Sequence, residues 1–304
     1  MTAKERKIDE SGKGAIDMNS GRINRSMVFL MLLPALLFLI MLFIYPFIFG
    51  IYLSFTERDG SFTLAHYILF FTDMWEFRTI GVTLMISLPV TILCVVAAIP
   101  MAYFMRTGLK YEKLVTFFLI IPITLGIVLL SQGMLTFYGP RGWFNQLLIA
   151  SGLTNGPIRL TNNHAGVIIS LFIQGFPFAF LMLLGYTSGI NPDLERAAMM
   201  LGASKWQTFW KIMFPLMAPG IAIAFCLNFV MSFSVFPSAV MLGQPSGPTR
   251  VIAYAAYQWA YEKYNQNMGS AICMIMAVIE IAIISIVLFW RQRMYKGASI
   301  VGKV

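Results

Sequence analysis

The residues of this chain best suited to chemistry are polar groups set inside long apolar runs. Glu280 stands near the middle of the run 268–290, Gln174 within 165–189, and Asn228 and Ser232 within 212–241. A carboxyl in such surroundings is costly, so Glu280 faces a cavity or a partner, or stays protonated. Asn228 and Ser232 are four residues apart and share one face of a helix. They are the best pair for the wall of a polar cavity, and hydrogen bonding between helices accounts for them equally well. Gln132 and Ser234 complete the set. This is the chemistry of binding and passage. Nucleophilic, metal-dependent and phosphate-binding patterns are missing from the sequence: it has no H-E-x-x-H, no G-x-S-x-G and no G-x-x-x-x-G-K-[ST]. Gly12-Lys13-Gly14 lacks the first Gly and the Ser/Thr of that loop. His66 and His164, the only histidines, are far apart and are expected at the surface. Cys94, Cys226 and Cys273 lie in apolar runs without metal-ligand spacing and read as packing residues. No catalytic residue, metal site or cofactor is expected.

The elements that must position these groups are membrane spans. The chain is 58% hydrophobic and 12% charged, with a mean hydropathy of +0.75. A soluble domain carries about 25% charged residues. Apolar runs at 27–54, 79–105, 113–138, 165–189, 212–241 and 268–290 are each long enough to cross a bilayer as a helix. The fold class expected is therefore all-α: a polytopic membrane protein of six transmembrane helices. Of the 22 Lys and Arg residues, only Arg58, Arg78, Arg141, Arg159, Arg250 and Lys263 fall on one side of the bundle; the other 16 fall on the opposite side. The positive-inside rule then puts both termini in the cytoplasm. The net charge of +9 is explained by this topology, and no nucleic-acid partner is expected. The organisation expected is a cytoplasmic tail at 1–26, a membrane domain at 27–290 and a second cytoplasmic tail at 291–304. Gly126, Gly133, Gly175 and Gly220 read as close-approach positions, and Gly175-Phe176-Pro177 is expected to loosen the fourth span. The turn-rich segment Gln244–Arg250 faces outward and either meets another protein or only connects.

Between the fourth and fifth spans lies a polar, amphipathic segment, at about 191–211. Asn191 suits an N-cap and Pro192 a first helical position. Asp193 and Glu195 sit where the helix dipole favours acids. Leu194, Ala197, Ala198 and Leu201 make one apolar stripe, and Gly202 ends the helix. Lys205 and Lys211 with Trp206 and Trp210 suit a membrane boundary. An ordered helix there is either a docking surface or a helix lying on lipid.

Ala197, Ala198, Gly202, Ile212 and Pro215 give this segment its resemblance: it is similar to the signature loop of the permease subunits of binding-protein-dependent ATP-binding cassette importers, of the maltose and polyamine type. Two positions depart from the pattern. Arg196 stands at the Glu of the family, with Glu195 one residue earlier, and Phe214 stands at the Leu before Pro215. The resemblance implies that Glu195, Arg196, Ala197, Ala198, Gly202 and Pro215 belong to a coupling element that docks on a separate ATP-binding cassette ATPase dimer. It implies a second permease subunit, the same or related, an extracytoplasmic solute-binding protein, and a place in a bacterial inner membrane. ATP hydrolysis then belongs to another polypeptide. The segments Ile99–Arg106, Leu201-Gly202-Ala203, Phe236-Pro237-Ser238 and Thr249-Arg250 resemble spermidine/putrescine permeases more than sugar permeases. That implies a small charged organic solute such as a polyamine, with Gln174, Asn228, Ser232 and Glu280 as candidates for the path. The alternatives are a sugar-type importer permease and a self-contained secondary transporter, which would need its own ion site and usually inverted repeats.

Overall fold

The computed structural model describes residues 25–106, 108 and 112–294. The expected tails at 1–26 and 291–304 lie almost wholly outside these residues. The chain divides into two units, Met1–Gly50 and Ile51–Val304. In the first, helix α1 (Arg25–Leu39) passes through a π-helical turn, Ile40–Ile44, into α2 (Tyr45–Ser54), which continues into the second unit. Leu32–Ser54 is long and apolar enough to cross a membrane.

Among the described residues the regular elements of the second unit are all helices, joined by turns and loops, with one isolated bridge between Thr56 and Phe62. After α3 (Ala65–Thr72), Asp73 caps α4 (Met74–Met105) by accepting from Trp75 N at 2.9 Å. Two shorter helices follow, α5 (Glu112–Leu125) and α6 (Ile127–Tyr138), and then α7 (Trp143–Ala150). Asn163 caps α8 (His164–Ser188) through Gly166 N. The polar segment forms α9 (Asp193–Met200). Next comes one continuous run, Lys205–Phe233: α10 (Lys205–Thr208), a π-helical turn at Phe209–Met213, and α11 (Phe214–Phe233). The chain closes with α12 (Pro237–Met241), α13 (Ile252–Tyr257), a π-turn at Gln258–Glu262 and α14 (Gln266–Met294).

Among the described residues five helices are long and apolar enough to span, and a bent pair makes a sixth if it is counted as one span. The run expected at 113–138 as one span is sharply bent. Lys113–Leu125 and Ile127–Ala150 meet at 101° around Gly126, whose φ of +73° suits a residue without a Cβ. Gly126 is therefore a corner and not a close-approach site, since nothing lies within 4 Å of the space a Cβ would fill; Gly133 is equally open. The fourth span differs in the other direction. It stays helical through Gly175-Phe176-Pro177 from His164 to Ser188, as packed neighbours allow.

The core is the junction of α4, α8 and α11. Val90, Cys94 and Ala98 meet Leu171, Ala179, Phe180 and Leu183 around Ala224. A second cluster joins Phe70, Phe229, Phe233, Ile252 and Ile272. At the centre, Gly175 of α8 fits against α4 and α11: an added Cβ would stand 2.5 Å from Asn228 Oδ1 and 3.0 Å from Cys94 Sγ. Gly220 likewise faces the Tyr186 ring. These two glycines are the close-approach positions expected from the sequence. Overpacking of this kind costs about 1–3 kcal/mol, so Gly175→Val should lower the unfolding free energy by that amount in detergent denaturation, with Gly133→Val near wild type.

Candidate functional site

Three polar constellations stand out. The first sits where α4 ends. Arg106, the residue after the helix, reaches Glu195 on α9, with Nη2 and Oε2 2.5 Å apart and the side chains only 3% and 13% exposed. The Arg106 guanidinium also lies over the Tyr103 ring, 5.4 Å from its centre. Glu195 is thus turned inward. Arg196 is turned out, 71% exposed and paired at 3.2 Å with equally exposed Asp193, a contact of little energetic weight.

α9 starts on Asn191, whose Oδ1 accepts from Asp193 N at 2.9 Å. It ends with Ala203 N donating to Ala198 O and Gly202 N to Met199 O, while Gly202 takes φ +85°. That is the glycine-terminated helix stop read from the sequence. A capping box then restarts the chain: Gln207 N donates to Ser204 Oγ and Ser204 N to Gln207 Oε1. Ala198 is buried and Ala197 exposed. Much of the apolar surface of the segment is open: Met200 is 88%, Leu201 89% and Trp206 71% exposed. Leu194 and Leu201 of the expected stripe are therefore uncovered in this chain alone. Pro215 stands in the first turn of α11.

The second constellation lies at the far end of α11. A cavity of about 50 Å³ is lined by Gln174, Asn228, Ser232, Ser234 and Phe236, among others. Glu280 of α14 is one hydrogen bond away, accepting from Ser234 Oγ at 2.8 Å. Three of the four path candidates read from the sequence thus line one cavity, and the fourth, Glu280, is bonded to another of its lining residues, Ser234. Asn228 is fully buried; its Nδ2 donates to Gly175 O at 2.9 Å and its Oδ1 has no partner. Gln174 Nε2 donates to Ser170 Oγ, which with Ser131 Oγ meets Ser238 Oγ at 3.1 and 2.9 Å. This hydroxyl cluster joining α6, α8 and α12 was not anticipated, because lone serines in apolar runs give no signal that sets them apart from packing residues. Gln132 is exposed and stands outside the cavity.

The third constellation was missed altogether. Glu76 in the first turn of α4 is 1% exposed and Arg250 3%. Arg250 grips it with two parallel bonds of 3.0 Å, Nη1 to Oε2 and Nη2 to Oε1. Trp259 Nε1 donates to Glu76 Oε1 at 2.9 Å, and Arg250 donates also to Gln258 Oε1 and Trp75 O. The segment Gln244–Arg250 therefore ends in a buried anchor. The histidines need correcting too. His66 is 6% exposed, with Nε2 donating to Thr56 O at 3.2 Å, and His164 is half-buried at the start of α8. His66 is thus tied to the loop before it, whereas the buried Nδ1 of His164 has no hydrogen-bond partner. No group of three or more metal-ligating side chains occurs among the described residues.

A family model described as "Binding-protein-dependent transport system inner membrane component" matches residues 95–296. The spermidine/putrescine transport system permease protein PotB of Haemophilus influenzae is 31% identical over 197 residues, 62% of this chain and 68% of that one. A probable starch degradation products transport system permease protein, AmyD of Thermoanaerobacterium thermosulfurigenes, is 26% identical over 268 residues, 85% of this chain and 91% of its own. Among solved structures, a chain of a bacterial alginate ABC transporter, in complex with an alginate pentasaccharide-bound periplasmic protein, superposes with a TM-score of 0.78 at 24% identity. It covers 90% of this chain and 97% of that one. That likeness shows a shared fold.

Proposed function

Because the chain belongs to the family of binding-protein-dependent transport system inner membrane components, we propose that it forms one half of the translocation path of an ATP-driven importer and couples to a separate ATPase through α9. It is a multi-pass permease subunit of an ATP-binding cassette importer. The reading places both termini and α9 in the cytoplasm and the residues after α12 on the outer side. A second permease subunit completes the path, and a solute-binding protein delivers the solute from outside. ATP binding closes the ATPase pair, α9 moves with it, and the bundle alternates its opening.

The observation that carries this reading is the form of α9: an ordered helix stopped by Gly202 and tied down by Arg106, with Met200, Leu201 and Trp206 uncovered. A helix so held, with its apolar side chains open, fits a docking surface. For the solute, we favour a small organic cation of the polyamine type. Kinship to PotB supports it, as does a cavity with Glu280 beside it and no Lys, Arg or His among its lining residues. A sugar solute is the second reading, favoured by kinship to AmyD along most of the chain.

The test is purification in mild detergent from the native membrane, with Gly202→Asp as comparison. Open space surrounds Gly202, so the variant keeps the fold at a strain cost of about 1 kcal/mol while placing a charge on the docking face. An ATPase should co-purify with the wild-type chain and be lost with Gly202→Asp. A chain that purifies alone, unchanged by the substitution, would point to a self-contained transporter.

A further inference from the structure

A ladder of aromatic rings leads from the surface into the cavity beside Glu280. Its outer rung is Tyr261, 67% exposed. Tyr257 follows, with ring centres 5.3 Å apart, then Phe236 at 5.0 Å from Tyr257, with Tyr254 stacked 6.3 Å from Phe236. Phe236 lines the cavity that also holds Ser234, the residue bonded to the Glu280 carboxylate. Continuity along α11 puts this ladder at the end of the bundle opposite α9, since Lys205–Phe233 is one helical run.

The chemistry along this track has one sign. Ring faces carry the negative side of the aromatic quadrupole and attract cations. Beyond them lie a carboxylate, and the buried Asn228 Oδ1 that accepts no hydrogen bond. The cationic side chains of the neighbouring loop are already engaged. Lys263 Nζ sits 3.6 Å above the Trp259 ring, and Arg250 is held by Glu76. Nothing on the track itself supplies the positive charge that its faces and acceptors favour.

We infer that Tyr261, Tyr257 and Phe236, ending at Ser234 and Glu280, form a binding track for an organic ammonium ion, resting on the importer reading above. The rings hold the desolvating alkyl chain and charge in turn, and the carboxylate with Asn228 Oδ1 receives the ammonium protons. No covalent step is involved. Specificity then resides partly within the membrane chain itself, and not only in the protein that delivers the solute.

The experiment is uptake of radiolabelled putrescine by proteoliposomes holding the complete transporter with its binding protein. Tyr257→Leu and Glu280→Gln should each raise the KM for uptake roughly tenfold, the scale of a lost cation–π or charge contact. Tyr257→Phe, which keeps the ring, should stay within about twofold of wild type by the same reasoning. Trp143→Leu removes an exposed ring far along the chain from the ladder and should leave uptake unchanged. A Tyr257→Leu transporter with wild-type KM, or Tyr257→Phe as impaired as Tyr257→Leu, overturns the track. A wild-type transporter that hydrolyses ATP but takes up no putrescine overturns the ammonium assignment and leaves the importer reading intact. Absence of ATP-dependent uptake of any solute, with no associated ATPase, overturns the importer reading itself.

Discussion

Glu76→Ala should destabilise the folded chain by about 3–5 kcal/mol, because it leaves the Arg250 charge buried without its counter-ion. Arg250→Ala should cost a similar amount by stranding the carboxylate. The pair is 174 residues apart in sequence, yet it closes with two parallel bonds, and the Trp259 indole donates to the same carboxylate. Such a network has no solvent to fall back on. The double variant Glu76→Leu/Arg250→Met should recover most of the loss, since apolar groups of similar volume remove both charges together. Chemical denaturation of the detergent-solubilised protein, monitored by tryptophan fluorescence, gives the three values. Single variants within about 0.5 kcal/mol of wild type, or losses that simply add in the double, would mean that the pair is not an interacting unit.

Reversing one charge of the Arg106–Glu195 pair should abolish solute uptake, and reversing both should restore much of it. Arg106→Glu places two carboxylates against each other in a site where the native side chains are only 3% and 13% exposed. At a separation of a few ångströms, like charges there cost about 4 kcal/mol at an intermediate dielectric. The helix bearing Glu195 must then leave its seat beside the end of α4. Arg106→Glu/Glu195→Arg rebuilds the attraction with the partners exchanged. Uptake and ATPase activity measured together separate two causes: ATP hydrolysis that persists without uptake marks lost coupling, whereas loss of both marks lost docking. If the double variant is as inactive as Arg106→Glu, the pair does not act through its mutual attraction. By contrast, Arg196→Ala should change the stability of this chain by less than about 0.5 kcal/mol, because its ion pair with Asp193 is largely open to water.

Much of this architecture is written in the hydropathy of the chain. Long apolar runs declare spans because a helix is the one open-ended element that satisfies its own backbone in lipid. The stop at Gly202 was equally legible, since a helix that ends in the left-handed region asks for glycine. The polar grouping around the cavity was legible for a related reason: Gln174, Asn228, Ser232 and Glu280 are conspicuous wherever polar atoms are expensive. Legibility failed where the signal was relational. Gly126 and Gly175 are both glycines in apolar runs, yet one turns the chain through a corner and the other admits a neighbouring asparagine. Nothing local separates them. Glu76 looked like an ordinary first-turn acid and Arg250 like a loop cation, and only the fold brings them together. The departure at Arg196 had a similar resolution. The sequence set Arg196 at the acid of the resemblance with Glu195 one residue earlier, and the structure separates the two: Glu195 turns inward to Arg106 while Arg196 faces out.

The unbroken run from Lys205 to Phe233 has a mechanical consequence. Its 29 residues span about 43 Å at the helical rise. Its base is set by the Ser204–Gln207 capping box beside α9, and its tip lies next to Ser234, the hydroxyl that holds Glu280. Gly220, where this rod rides against Tyr186, lies about 20 Å from the tip at the helical rise, so a tilt of about 8° about that point would sweep the tip by about 3 Å. That sweep is as long as the hydrogen bond it carries, so a small rocking of the base is enough to open or close the contact with the carboxylate. The sensitivity of such a lever is fixed by the position of its fulcrum. Moving the glycine one turn along α11 should alter how far the tip travels without changing either end.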